Sequence, residues 1–458
     1  MSRAQLTRRA LLLVATALIG ACAQAPTPTP PPPPIVFVHG NGDSAAVWMT
    51  TLWRFESNGW PRERLHAIDL PYPLARDADD REQAGRSSNA QYQQVLATEI
   101  DRVLRASGAS QVVLMGSSGG GYPIRSYVMS GGAAKVSHVI LGGVPNHGVR
   151  ADAGLNPASV FNGAGPFLTA LNNQGGAGVE ITPGPTWLTI RSDNNDKYAQ
   201  PDGLWLGAKG TPTNVTLAGP ELKGALNVIL PGVDHREAAL GPQAFAVAFR
   251  FLAGREPATA APAPEAAVVL AGKVSGLGLD NNPDSGAFVN NLPLQGATVE
   301  VYATDPASGE RLGEARWRKT VGADGQWGPF AADGRASYEF VISAPGYAVT
   351  HIYRSPFVRS SSIVHLRATR QAAADKTAGS VLSLVRPRGY FGVPRDTLVF
   401  DGNNPAPGIS PGVAGLSAST IRLPAAAPRA VVAEFNSQRI VARSWPAADN
   451  HLVQLELH

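Results

Sequence analysis

Cysteine is nearly absent. The 458-residue chain has one, Cys22, so it can form no internal disulfide and no cysteine-based zinc site. Charge is scarce too: Asp, Glu, Lys and Arg make up 16% of the residues, and the formal net charge is +4. Three of those cations, Arg3, Arg8 and Arg9, fall in a leader that export would remove, leaving the rest near neutral. That balance offers no electrostatic footprint for nucleic acid. No phosphate-binding loop and no zinc-ligand spacing occurs in the sequence. The apolar run at residues 10–19 is too short for a comfortable transmembrane helix. Glycine (49) and proline (38) are plentiful, which points to many turns and at least one β-rich region. Apolar residues, at 44%, suffice for ordinary cores, and the length predicts two or three domains.

Residues 1–21 have a basic start, an apolar run and then small residues, the layout of a secretory signal peptide. Thr7-Arg8-Arg9-Ala10-Leu11-Leu12 looks like a twin-arginine export signal, although its consensus aromatic is absent. Ile19-Gly20-Ala21-Cys22 looks like a bacterial lipobox, in which Cys22 would be lipidated and become the new N-terminus. Residues 22–34 then form a proline-rich tether, an extended and semi-rigid spacer. The expected location is the bacterial cell envelope, with a lipid anchor holding the remainder at a membrane. The plainer alternative is a secreted protein.

Residues 35–252 alternate short apolar runs with helical periodicity. Strands are predicted at 35–38, 65–68, 111–115, 136–141, 186–190 and 227–230, and helices at 45–56, 120–129 and 243–251. Tyr92, Leu96, Ile100, Val103 and Leu104 fall on one face of a further helix. This pattern predicts an α/β domain with a mostly parallel sheet and helices on both faces. Residues 253–265 read as a linker. Residues 266–458 then show short β-type runs among Gly, Pro, Asn and Asp, predicting an antiparallel β-sandwich or barrel. A weak second break at 371–376 divides that region.

Gly116-Ser117-Ser118-Gly119-Gly120 fits the pattern G-x-S-x-G between a strand and a helix. Such a turn forces its central serine into strained backbone angles and needs small neighbours, so Ser118 is the expected nucleophile. His39-Gly40-Asn41-Gly42 follows the first strand. In that setting the backbone N–H groups of Asn41 and Gly119 are the expected oxyanion hole, and His39 is expected to orient the turn. His235, between the last strand and the closing helix, is the expected general base. The acid is expected in the segment after strand 186–190. Asp196 is preferred, with Asp193 and Asp202 as alternatives; Asp234 is expected in a surface loop.

His39-Gly40-Asn41-Gly42, Gly116–Gly120 and Asp234-His235 together resemble the α/β-hydrolase lipases and esterases. Residues 244–251, 353–359 and 444–449 also resemble segments of an archaeal long-chain carboxylesterase/lipase with a C-terminal β-barrel implicated in lipid binding. The resemblance implies a serine carboxylic-ester hydrolase over nearly the whole mature chain. One departure stands out. That enzyme carries its acid after the strand corresponding to 136–141, where this sequence has Gly142-Gly143.

Residues 142–185 form an insertion with Leu155, Val160, Phe161, Phe167, Leu168 and Leu171. It reads either as a cap offering apolar side chains to an acyl chain or as a packed surface loop. The expected substrates are hydrophobic acyl esters, with polyhydroxyalkanoate-type polyesters as the alternative. A rival of another class is a catalytically idle surface lipoprotein that binds lipid or a partner protein. No cofactor or metal is required. The run Asp280-Asn281-Asn282-Pro283-Asp284-Ser285-Gly286 alternates like a calcium loop, but its glycine is one place late and Asn291 stands where a glutamate is needed. A polar hairpin is the expected reading.

Overall fold

A computed structural model describes residues 31–174, 178–277 and 289–458. The leader, Cys22, most of the tether and the calcium-like run at 280–286 lie outside the described residues. Among the described residues, no helix is long and apolar enough to cross a membrane.

Short apolar segments build the first region. In chain order they are β1 (Ile35–Val38), α1 (Met49–Ser57), β2 (Leu65–Ala67), α2 (Asn89–Ser107), β3 (Val112–Ser117), α3 (Gly121–Met129), β4 (Val136–Gly142), α4 (Pro166–Leu171) and β5 (Thr186–Ser192). A small hairpin, β6 (Asp202–Gly203) and β7 (Ala208–Pro212), precedes β8 (Leu226–Leu230), α5 (Glu237–Leu240) and α6 (Pro242–Ala253). The strands outside the hairpin form one parallel sheet in the order β2-β1-β3-β4-β5-β8. β1 and β3 are buried at every residue, so both read as unbroken apolar runs. Their side chains alternate between two layers. Val36, Val38, Val112 and Leu114 pack with α2 and α3; Ile35, Phe37, Val113 and Met115 pack with Phe55 of α1 and Phe245 of α6. α2 is delimited locally. Ser88 and Gln91 form a reciprocal capping box, and Gly108 closes the helix in the left-handed region.

The β region starts at β9 (Val268–Gly276), followed by β10 (Thr298–Thr304), β11 (Trp317–Thr320), β12 (Gln326–Ala332), β13 (Ser337–Ser343), β14 (Val349–Arg354) and β15 (Ser361–Ala368). Then come β16 (Ser380–Val385), β17 (Leu398–Phe400), β18 (Ala418–Leu423), β19 (Ala430–Phe435), β20 (Gln438–Arg443) and β21 (His451–Glu456). A seven-stranded sheet, β11-β10-β13-β14-β21-β16-β18, faces two three-stranded sheets, β12-β9-β15 and β17-β19-β20. One core lies under the first small sheet (Leu270, Val299, Phe340, Leu366) and a second under the other (Leu382, Phe400, Val431, Leu455). The break at 371–376 lies between strands of the one large sheet, because β21 from beyond it inserts beside β14.

Most pairs in this region are antiparallel, as expected, and three correct the expectation. β14–β21, β16–β21 and β9–β15 are parallel. The pairs join strands far apart in sequence, which hairpin-type turn signals cannot report.

The two regions are packed together. α1 sends Phe55 into the core of the α/β region and Met49 and Trp53 into the β core. Trp53 Nε1 donates to Ser360 O at 2.8 Å. The linker runs along α1: Arg54 Nε donates to Ala260 O at 2.9 Å, and Asn58 Nδ2 to Thr259 O at 2.8 Å.

Candidate active site

The turn between β3 and α3 places Ser118 at φ 50°, a backbone region rarely used by side-chain-bearing residues. Its neighbours must be small. A Cβ on Gly120 would lie 2.4 Å from His39 O, and one on Gly116 would lie 2.8 Å from Ile124 Cδ1. The elbow therefore sits against the β1 turn. That turn is fixed by His39, which is fully buried. Its Nδ1 donates to Gly40 O at 2.9 Å, and its Nε2 accepts from Leu70 N at 3.1 Å. Burial lowers the pKa of His39, which suits this neutral, doubly bonded tautomer.

Ser118 Oγ lies 2.9 Å from His235 Nε2, and His235 Nδ1 lies 2.8 Å from Asp196 Oδ1. His235 and Asp196 are 2% and 3% exposed, so bulk water does not compete for these bonds. Tyr198 N also donates to Asp196 Oδ1 at 2.8 Å, and the Tyr198 ring meets the His235 imidazole edge-on at 4.7 Å. The alternative acids point elsewhere. Asp193 Oδ1 accepts from Gly232 N and Asn194 N, and Asp202 from Leu204 N and Gly210 N.

Asn41 and Gly119 lie side by side beneath Phe161: a Cβ on Gly119 would be 3.6 Å from Asn41 Cβ and 3.2 Å from Phe161 Cζ. Asn41 Oδ1 accepts from Ala75 N at 2.7 Å, which holds the turn open. Gly119 begins a helical turn, where backbone N–H groups have no intrahelical acceptor.

A cavity of about 160 Å³ opens over Ser118 and His235. Val149, Phe161, Tyr198 and Tyr390 give it an apolar wall, and Asp43 and Arg236 a polar end. The insertion thus divides its apolar residues. Val160, Leu168 and Leu171 are buried in the core, Leu155 is exposed, and Phe161 alone of the six reaches this cavity.

Asp234 corrects an expectation. It is fully buried rather than in a surface loop. Its Oδ2 accepts from Arg386 Nη1 at 2.9 Å and Tyr390 N at 2.7 Å, and its Oδ1 from the N–H groups of Arg236 and Glu237. Arg395 Nη1 reaches Gly232 O at 3.0 Å and Glu237 Oε2 at 2.7 Å. Arg236 Nη1 donates to Pro387 O at 2.8 Å. The loop before Tyr198 is gripped from the same side. Ala414 N donates to Asn195 Oδ1 at 2.9 Å, and Lys197 Nζ donates to Gly415 O at 2.8 Å while lying 4.1 Å from the Tyr390 ring centre. Tyr390, Arg386 and Arg395 carry no motif, and more than 150 residues separate them from His235. Only Arg236, beside His235, had a positional cue.

A parallel sheet with helices on both faces, and a serine at a strained strand–helix turn, define an α/β-hydrolase. Residues 32–169 match the family model for lipase (class 2), and residues 266–371 match that for the lipase C-terminal domain. The chain thus pairs a segment similar to class 2 lipases with one similar to the lipase C-terminal domain, and is a serine ester hydrolase. No curated protein matches the sequence. Among solved structures, the mature form of Bacillus licheniformis lipase BlEst2 aligns at 21% identity over 50% of this chain and 94% of that one, with a TM-score of 0.36. The propeptide form aligns at 16% identity over 92% and 94%, also at 0.36. Phospholipase PlaB of Legionella pneumophila aligns at 12% identity over 75% and 94%, at 0.34.

Proposed function

We propose that the protein is an exported lipase or carboxylesterase that cleaves hydrophobic acyl esters through an acyl-enzyme on Ser118. The hydrogen-bonded series Ser118–His235–Asp196 carries this reading. His235 Nε2 takes the hydroxyl proton as Ser118 attacks the ester carbonyl, then returns it to the leaving alcohol. Asp196 holds the ring with Nδ1–H facing it and stabilises the imidazolium. The N–H groups of Asn41 and Gly119 face the developing oxyanion, each such donor contributing about 3 kcal/mol in comparable sites. A water activated by His235 then releases the acid product. The apolar wall of Val149, Phe161 and Tyr198 favours acyl chains over charged groups. Polyesters of hydroxyalkanoates are the second reading, since their repeating units are also apolar esters. The buried and fully paired catalytic set disfavours an idle binding protein. Export and attachment through a lipidated Cys22 rest on the leader sequence.

The test is hydrolysis of p-nitrophenyl esters from acetate to palmitate by the parent and by Ser118→Ala. Activity that rises beyond acetate and disappears in the variant is the expected result. A parent inactive on every ester would overturn the reading.

A further inference from the structure

A second cavity, of about 320 Å³, lies between the β1–α1 turn and the β region. Asp43 and Arg236 line both this cavity and the ester pocket. Their ion pair, Arg236 Nη2 to Asp43 Oδ1 at 2.5 Å, stands between the two spaces.

The second cavity has an unbalanced charge. Arg236, Arg367 and Arg388 line it, against the carboxylates Asp43 and Glu456. Both carboxylates are already engaged, Asp43 by Arg236 and Glu456 by Arg354. Arg367 and Arg388 have no carboxylate partner among the described residues. Arg367 donates to neutral oxygens, Asn291 Oδ1 at 3.0 Å and Ser275 Oγ at 3.5 Å. Arg388 is 6% exposed and donates to two backbone carbonyls, Ala46 O at 3.1 Å and Leu457 O at 3.4 Å. Its Nε is buried with no acceptor at all.

His365 does not supply the missing balance. Its Nδ1 lies 3.0 Å from Ser44 Oγ and its Nε2 2.6 Å from Ser275 Oγ. Burial holds its pKa well below the ordinary value, so it is neutral. Burial also pulls the Arg388 guanidinium down to about 9 and lowers that of Arg367. A guanidinium resists losing its proton, so for these two forks, Arg388 buried and Arg367 partly buried with Asp43 and Asp69 acting on it only at longer range, the fitting counter-charge is an anion. Leaving a buried charge without a counter-charge is strongly destabilising. The guanidinium fork matches the paired oxygens of carboxylate and phosphate.

We infer that this cavity is a binding site for a small oxyanion, carboxylate or phosphate in chemistry, held by Arg367 and Arg388 at the seam between the catalytic and β regions. Neither arginine lines the ester pocket, so the site is separate from the reaction centre. It communicates with that centre through the Asp43–Arg236 pair.

The experiment is thermal unfolding of the full chain titrated with sodium phosphate or sodium butyrate, each against sodium chloride at equal ionic strength. A saturable rise in Tm with either oxyanion beyond the chloride control is expected. Which of the two acts identifies the source of the oxyanion. Arg388→Gln and Arg367→Gln, in separate parts of the chain, should each weaken the response at least tenfold while retaining p-nitrophenyl ester turnover. If one variant fails to fold, the other carries the comparison. No saturable shift in the parent over chloride, or an undiminished response in a folded arginine variant, would overturn the inference.

Discussion

The two halves of the proposed catalytic centre are supported differently. Ser118, Gly119 and Asn41 stand on turns of the central sheet, and their supports (His39, Gly116, Gly120 and Leu70) belong to the same region. The loops bearing Asp196 and His235 are instead gripped by the β region, through Arg386, Tyr390, Arg395, Ala414 and Gly415. Ser118 itself thus rests on local supports, although the β1–α1 turn also receives Asn291 and Arg388 from the β region; the loops of the proposed acid and base are held chiefly across regions. A β region used only to recognise substrate would not need to hold Asp234 and Glu237, the two acids that flank His235. The geometry makes it a scaffold for the loops that bear His235 and Asp196 as well.

The largest expected effect lies on the local side. Ser118→Ala should lower kcat by roughly 10⁶-fold, as removing the serine of such a triad does, with an unchanged Tm and retained ester binding. Substantial residual turnover of a p-nitrophenyl ester would locate the nucleophile elsewhere.

Next comes the test across regions. Arg386→Met removes one of the two arginine partners of the buried Asp234 and of Glu237, leaving Arg395. Because Arg395 remains, the cost should fall below the roughly 3–5 kcal/mol of a fully broken buried pair, seen as a lower Tm. Displacing His235 should also reduce kcat about 10²-fold, even on p-nitrophenyl acetate, with KM nearly constant. If kcat on that small soluble ester were untouched in folded protein, the β region would not position the base.

A smaller effect is expected at the pocket wall. Phe161→Ala should raise KM for long acyl esters about tenfold through lost apolar contact, with acetate little changed. Equal losses on all chain lengths would mean that Phe161 shapes the turn at Gly119 rather than the acyl site.

The smallest effect is on stability against pH. Burial lowers the Lys197 ammonium from 10.5 to about 8. Below pH 8 the charged group costs the folded state. As pH rises from about 8 to about 10.5, the folded chain releases this proton before the unfolded chain does, so stability from this group increases across that window. In Lys197→Met the dependence disappears, and the Tm difference, variant minus parent, should fall over the same window. A difference flat in pH would show that Lys197 does not titrate there.

Legibility followed the same division. β1, β3 and α2 could be read from short patterns because burial on both sheet faces and an amphipathic stripe leave signals within a few residues. Ser118 was readable because its strained turn demands glycines beside it. The segment holding Asp196 could be located from strand order, but choosing it over Asp193 and Asp202 required coordinates. Asp234 was misread because its partners, Arg386 and Tyr390, lie far along the chain. The parallel insertion of β21 between β14 and β16 was hidden for the same reason.

By itself, therefore, the sequence determined the α/β order, the elbow at Ser118, the turn at His39 and the β-rich character of the second region. These depend on backbone conformation and burial periodicity, which neighbouring residues encode. Tertiary structure alone decided which acid meets His235, which side chains close the ester pocket and which cations lack a partner. Those outcomes depend on distances between groups that only the folded chain brings together, where low solvent exposure makes each pairing, or its absence, energetically large.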